Sequence, residues 1–154
     1  MEVDKATHRR LAVDLFNSCW TIMGQESRSK VDNDLLERSA MASLYHWSVV
    51  GDATNLSIGE WMASRVHVVL GNKEEALRHA ERCLEITQNA GLEDFYLAFA
   101  YEARARAHAQ LGNVEDCRSD QERATAVAID EAEDKEIFEK DFFGNDWFGL
   151  TPAR

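Results

Sequence analysis

The sequence predicts an all-α protein built from antiparallel helical hairpins, about six to seven helices in all. Three observations carry this. The only proline is Pro152, so nothing breaks a helix along the interior, and Ala, Leu, Glu and Arg, all good helix formers, are abundant. Apolar residues recur at helical spacing wherever it can be counted, and no four-to-eight-residue stretch alternates cleanly as a strand would. A segment of the chain also repeats itself at a shift of 41 residues.

The elements follow in order. Leu11, Leu15, Cys19, Ile22 and Met23 share one face of a first helix over about 5–23. Leu36, Ala40, Leu44, Trp47 and Val50 do the same over 32–50. Further helices are expected at 58–70, 73–89, 94–111 and 114–132, with a short seventh at 134–142. Gly24, Gly51, Gly71, Gly91 and Gly112 fall just past predicted ends, where a left-handed residue closes a helix. Ser57-x-x-Glu60, Asn72-x-x-Glu75 and Asn113-x-x-Asp116 read as N-caps. Gln25–Lys30 is a polar loop.

Aligning Glu60–Ile86 with Tyr101–Val127 gives 8 identities in 27 positions, including Arg65/Arg106, His67/His108 and the turns Leu70-Gly71-Asn72 and Leu111-Gly112-Asn113. A repeated helix–turn–helix has an apolar face that only its neighbour can cover, which implies an α-solenoid. The first two helices then supply a third, divergent hairpin.

Composition narrows the function classes. The 154 residues carry 17 Lys and Arg against 28 Asp and Glu, a formal charge of −11. Such a chain does not bind nucleic acid nonspecifically, and an anionic membrane repels it. No apolar run approaches the ~18 residues of a membrane span. Met-Glu-Val-Asp-Lys at the start has no export pattern, and Cys19, Cys83 and Cys117 form no Cys-x-x-Cys, so a cytoplasmic protein with reduced thiols is expected. One domain is expected over 1–141, with an aromatic tail at 142–154 packed on the last helices. The aromatics Phe138, Phe142, Phe143, Trp147 and Phe148 cluster at and just before it; docking of the tail on another subunit or another protein is the alternative.

Leu70-Gly71-Asn72-Lys73-Glu74-Glu75-Ala76 and Leu111-Gly112-Asn113-Val114-Glu115-Asp116-Cys117, with the small Ser64 and Ala105 where helices pack closely, resemble the tetratricopeptide repeat family. The resemblance covers about 57–130 and implies a short right-handed α-solenoid. Leu44-Tyr45-His46-Trp47, Gly59–Arg65 and Asp94–Glu102 are similar to a group of bacterial proteins of this kind with no assigned activity, which implies a bacterial source.

The family's groove positions fall on Ile58, Trp61, Arg65 and Val68 in one repeat and on Phe99, Glu102, Arg106 and Ala109 in the next. The site expected is therefore a groove around Trp61, Arg65, Phe99, Glu102 and Arg106. Two guanidiniums facing one hollow suit a carboxylate or phosphate, and Trp61 suits an apolar anchor. An internal ion pair between Glu102 and Arg106, four residues apart on one helix, is the competing assignment. His46, His67 and His108 are secondary candidates, whose first reading is as packing or surface residues. His79 and Cys83 have a two-ligand spacing, but Cys83 sits on the apolar stripe, and His79, between Arg78 and Arg82, reads as solvent-facing. No metal or cofactor is expected. No nucleophile elbow, phosphate loop or dinucleotide glycine pattern occurs. The function expected is a non-catalytic scaffold binding a protein or peptide, including one with acidic or carboxylate groups. The alternatives are a small-molecule or metal-binding sensor or enzyme using the inter-helix His and Glu residues, or a self-associating module, for instance a homo-dimer.

Overall fold

The computed structural model describes residues 2–154. Among them there are seven α-helices and no strand: α1 Lys5–Met23, α2 Lys30–Val50, α3 Ala53–Leu70, α4 Lys73–Asn89, α5 Asp94–Leu111, α6 Val114–Ala126 and α7 Ala132–Gly144. Consecutive helices pair as α1–α2, α3–α4 and α5–α6, and each pair packs on the next through α2–α3 and α4–α5. The odd helices also touch directly, α1 on α3 and α3 on α5, and α7 packs on α5. A face built from α1, α3 and α5 results, partly roofed by α7. No described helix is long and apolar enough to cross a membrane.

The two Gly-Asn turns have the same construction. Gly71 and Gly112 sit at φ 79° and 80°, a left-handed conformation that an L side chain resists. The amide of Asn72 then donates to the His67 carbonyl at 2.8 Å, and that of Asn113 to the His108 carbonyl at 2.9 Å, so both helices end in Schellman fashion. The asparagines do not cap the following helices. Their side-chain amides reach back instead to Nδ1 of His67 and His108, at 3.1 Å in each repeat. The repeated His…Gly-Asn pattern is thus one turn-closing device used twice.

Other boundaries differ from expectation. α3 begins at Ala53, five residues before Ile58, because Asp52 and Asn55 form a reciprocal capping box. Ser57 lies inside the helix, buried, with its Oγ 2.7 Å from the Thr87 hydroxyl. α2 starts at Lys30 on the capping box of Ser29 and Asp32. Gly24 is right-handed and Gly51 extended, so neither is there for left-handed backbone. At Gly51 a Cβ would lie 2.7 Å from the Trp47 carbonyl and 2.8 Å from Asn55 Cβ; the glycine admits a tight passage from α2 to α3. α6 stops at Ala126, and Val127 is extended. α7 runs through Gly144, so Phe142 and Phe143 are helical rather than part of a tail.

The core has two parts. The larger joins α1–α5 around Leu36, Met62, Val66 and Leu84. The smaller joins α5, α6 and the C-terminal segment around Ala105, Cys117, Phe138, Phe142 and Trp147. Small residues dominate α5: Ala98, Ala100, Ala105 and Ala107 are fully buried. With no bulk on these positions, neighbouring helices approach closely from several sides.

Candidate functional site

Every residue of the expected groove is in one place. Trp61 and Arg65, one turn apart on α3, face Phe99, Glu102 and Arg106 on α5. Glu102 is completely buried at the centre. Its Oε1 accepts from Arg65 at 2.7 Å and from Arg106 at 2.6 Å, and its Oε2 accepts from the Trp61 indole N–H at 2.9 Å. The repeat explains this geometry. Trp61 and Glu102 are themselves equivalent positions, as are Arg65 and Arg106, so adjacent repeats bring the four together.

The two guanidiniums are not free to receive an anion. Arg65 donates twice to Asp141 of α7, at 3.1 and 2.8 Å. Arg106 donates to the main-chain carbonyls of Asp146, at 2.6 Å, and Phe142, at 3.5 Å, and its guanidinium lies 4.0 Å from the centre of the Trp147 ring. The chain's own C-terminal segment occupies the place expected for an acidic ligand. The ion pair expected as the alternative, Glu102 with Arg106, is present.

Electrostatics bind this cluster into a unit. Burial alone would raise the Glu102 carboxyl, but Arg65 and Arg106 override it and hold the group below its ordinary range. Burial likewise opposes the charge of Arg65, and Glu102, then Asp141, keep it above its usual value. A depressed carboxyl adds stability that is fully present above its unfolded value and fades as pH falls through the folded one. The protein is therefore expected to lose stability on acidification below about pH 4.5, the ordinary glutamate value. Melting temperatures from pH 7 to 3 check this. Glu102→Gln should flatten the lower part of the curve, and an unchanged pH profile in that variant would rule the linkage out.

Next to the ion cluster is an apolar cavity of about 200 Å³. Phe16 and Trp20 of α1, Ile58 and Trp61 of α3, Phe95 and Phe99 of α5 and Ile137 of α7 form its walls, with Ser57 and Cys83 deeper in and Asp141 at one edge. Trp20 and Ile137 are 44% and 49% exposed and open the cavity to solvent. The rings lock one another: Trp20 to Trp61 at 5.8 Å, Trp61 to Phe99 at 5.5 Å and Phe99 to Phe138 at 5.1 Å between centroids. Cys83 brings no reactivity, since burial pushes its thiol up to about 12. Cys19 is raised to about 11 for the same reason.

The histidines separate. His46, half-buried on α2, pairs its Nδ1 with that of His8 at 2.8 Å. His67 and His108 close their turns. Burial, then the neighbouring His79, holds the His67 imidazole below its usual range. His79 is not solvent-facing: it is only 4% exposed, with Nδ1 2.5 Å from Glu60 Oε2. Its ring stacks on His67 at 5.4 Å and 9°. Trp20, Phe16, Phe95 and Asp141 were not among the expected site residues. The two aromatics of α1 lie outside the repeat alignment, and Asp141 depends on where α7 returns.

The fold and site define an all-helical protein of packed hairpins with an aromatic cavity on the face shared by its odd helices. Compared with known proteins, the chain matches no family model, no curated protein and no solved structure.

Proposed function

We propose that the protein is a non-catalytic binding module, a short right-handed stack of tetratricopeptide-like hairpins whose inner face takes an apolar side chain of a partner protein or peptide. The observation that carries this is the open, aromatic-walled cavity between Trp20, Trp61 and Phe99. An apolar cavity of about 150 Å³ holds one benzene ring, so this one has room for a Phe, Leu or Met side chain. Aromatic anchors in such pockets dominate recognition energies. The direct contacts of α1 with α3 and α3 with α5 support the stacked reading, and three buried thiols suit a reducing compartment. Arg65, Glu102 and Arg106 brace the wall behind Trp61 in this reading, and the partner needs no acidic group.

Peptides selected from a random library against the protein are expected to share one aromatic or large aliphatic residue. Ile58, half-buried on the cavity wall, gives the test. Ile58→Trp fills the space and should weaken the selected peptides at least about tenfold, or 1.4 kcal/mol, with the melting temperature little changed. Equal affinity for Ile58→Trp would discard the cavity as the site.

A further inference from the structure

We propose that His67, Glu75 and His79 form a binding site for a divalent transition-metal ion beside the α3–α4 turn. One ligand atom from each of the three lies within 4.8 Å of the others. Glu75 and His79 are four residues apart and share a face of α4, and His67 meets them from the end of α3. Two imidazoles and one carboxylate, with a fourth position left for water, form the donor set of open zinc sites.

The orientation of His79 favours this more than proximity does. Its Nδ1 lies 2.5 Å from Glu60 Oε2, and its Nε2 lies 3.2 Å from the Arg78 guanidinium. A guanidinium can only donate, so Nε2 accepts, and the proton of the ring sits on Nδ1 and goes to Glu60. This is the tautomer of a metal-binding histidine, with its other nitrogen held by a buried carboxylate. Glu60 is fixed in turn by Arg82 at 3.1 Å. Asn72 stands beside His67 Nδ1 with its amide nitrogen 3.1 Å away; an amide flip, which leaves the shape of the side chain unchanged, would turn its oxygen to the ring and let it support His67 as Glu60 supports His79.

The sister hairpin provides an internal control. His108 and Asn113 repeat the His67–Asn72 contact at the same 3.1 Å, so that pair by itself only closes a turn. The positions matching Glu60, Glu75 and His79 are Tyr101, Asp116 and Asp120, and Asp120 is taken up by Arg104 and Arg123. Only the first hairpin adds a second histidine and the carboxylate behind it.

A cation already stands at this spot. Arg78 bridges Glu75, at 2.8 Å, and His79, and its side chain is 56% exposed. It can swing to water and leave its place to a metal ion. Ligand atoms of a tetrahedral zinc site are about 3.3 Å apart, and the half-exposed Glu75 side chain can close that gap. The site shares no residue with the aromatic cavity, so it stands or falls separately from the binding-module reading.

The test uses Zn²⁺ in titration calorimetry and Co²⁺ in visible absorption. Both are run on His8→Ala protein, which removes the His8–His46 pair as a competing site. One Zn²⁺ per chain and an intense tetrahedral Co²⁺ band are expected. Glu75→Gln changes an exposed group and leaves the fold intact; it should weaken Zn²⁺ at least about tenfold. Glu60→Gln, which removes the carboxylate behind His79 and its pairing with Arg82 but no metal ligand, should weaken it 10–100-fold. The absence of stoichiometric binding, or affinity within threefold of the parent in Glu75→Gln, would overturn the proposal.

Discussion

Glu102→Ala is expected to destabilise the protein by about 3–5 kcal/mol, the effect of leaving a buried ion pair with one partner missing. Here one carboxylate serves two guanidiniums and an indole N–H. Its removal strands Arg65, 7% exposed, and Arg106, 2% exposed, with less counter-charge than they need. Replacing the triad with apolar residues, as Arg65→Met/Glu102→Leu/Arg106→Met, is near neutral where an ion triad stands alone. In this protein it should fall short of wild type. The Asp146 carbonyl and the Trp61 N–H would be left without partners and Asp141 without its guanidinium, and an unsatisfied buried group costs about 1–3 kcal/mol. Denaturant unfolding of the single and triple variants measures both. A loss below about 1 kcal/mol for Glu102→Ala would mean that water reaches the cluster.

Trp147→Ala is the second large effect, about 3–5 kcal/mol for emptying the site of a fully buried tryptophan. The ring packs on Phe142 at 5.1 Å, covers the Arg106 guanidinium, and donates through Nε1 to the Phe142 carbonyl at 2.7 Å. The chain after it is held as well: Arg118 and Gln121 donate to the Leu150 carbonyl at 3.1 and 2.7 Å. Phe148, at φ 52°, is left-handed, a conformation that persists only where the surroundings enforce it. Because the segment is fixed on both sides of the turn, the loss should appear in global unfolding, with a single transition. If the segment instead detaches alone, limited proteolysis will cut it while the unfolding midpoint barely moves, and that result would refute the fixed arrangement.

The parts legible in the sequence are those set by local chemistry or by the repeat. The Gly-Asn turns state their own geometry, and the 41-residue shift places Trp61 on Glu102 and Arg65 beside Arg106. The start of α3 was hidden because two caps compete within six residues, Asp52 with Asn55 and Ser57 with Glu60. The buried Thr87 draws Ser57 inward, and His79 and Arg82 take Glu60. His79 looked exposed because arginines flank it. Arg78, the preceding residue, points about 100° around the helix axis from it; Arg82, three places on, shares its face but carries a long side chain that is 55% exposed and reaches Glu60 from the rim. The occupant of the groove could not be read at all. Asp141 and the carbonyl of Asp146 reach the arginines through the path of the chain after Ala126, and main-chain acceptors carry no sequence signal.

The contact between Arg65 and Asp141 joins residues 76 positions apart, whereas each hairpin closes over neighbouring segments. Local contacts form first because they close short loops, and distant ones wait. During synthesis at roughly 5–20 residues per second, Asp141 follows the second arginine, Arg106, by 35 residues, or about 2–7 s. For that interval the hairpins can fold while the two arginines have no α7 above them and the aromatic face stands uncovered. The nascent chain thus passes through a stage in which its most adhesive surface is open. Any factor that binds it then competes directly with the protein's own last helix.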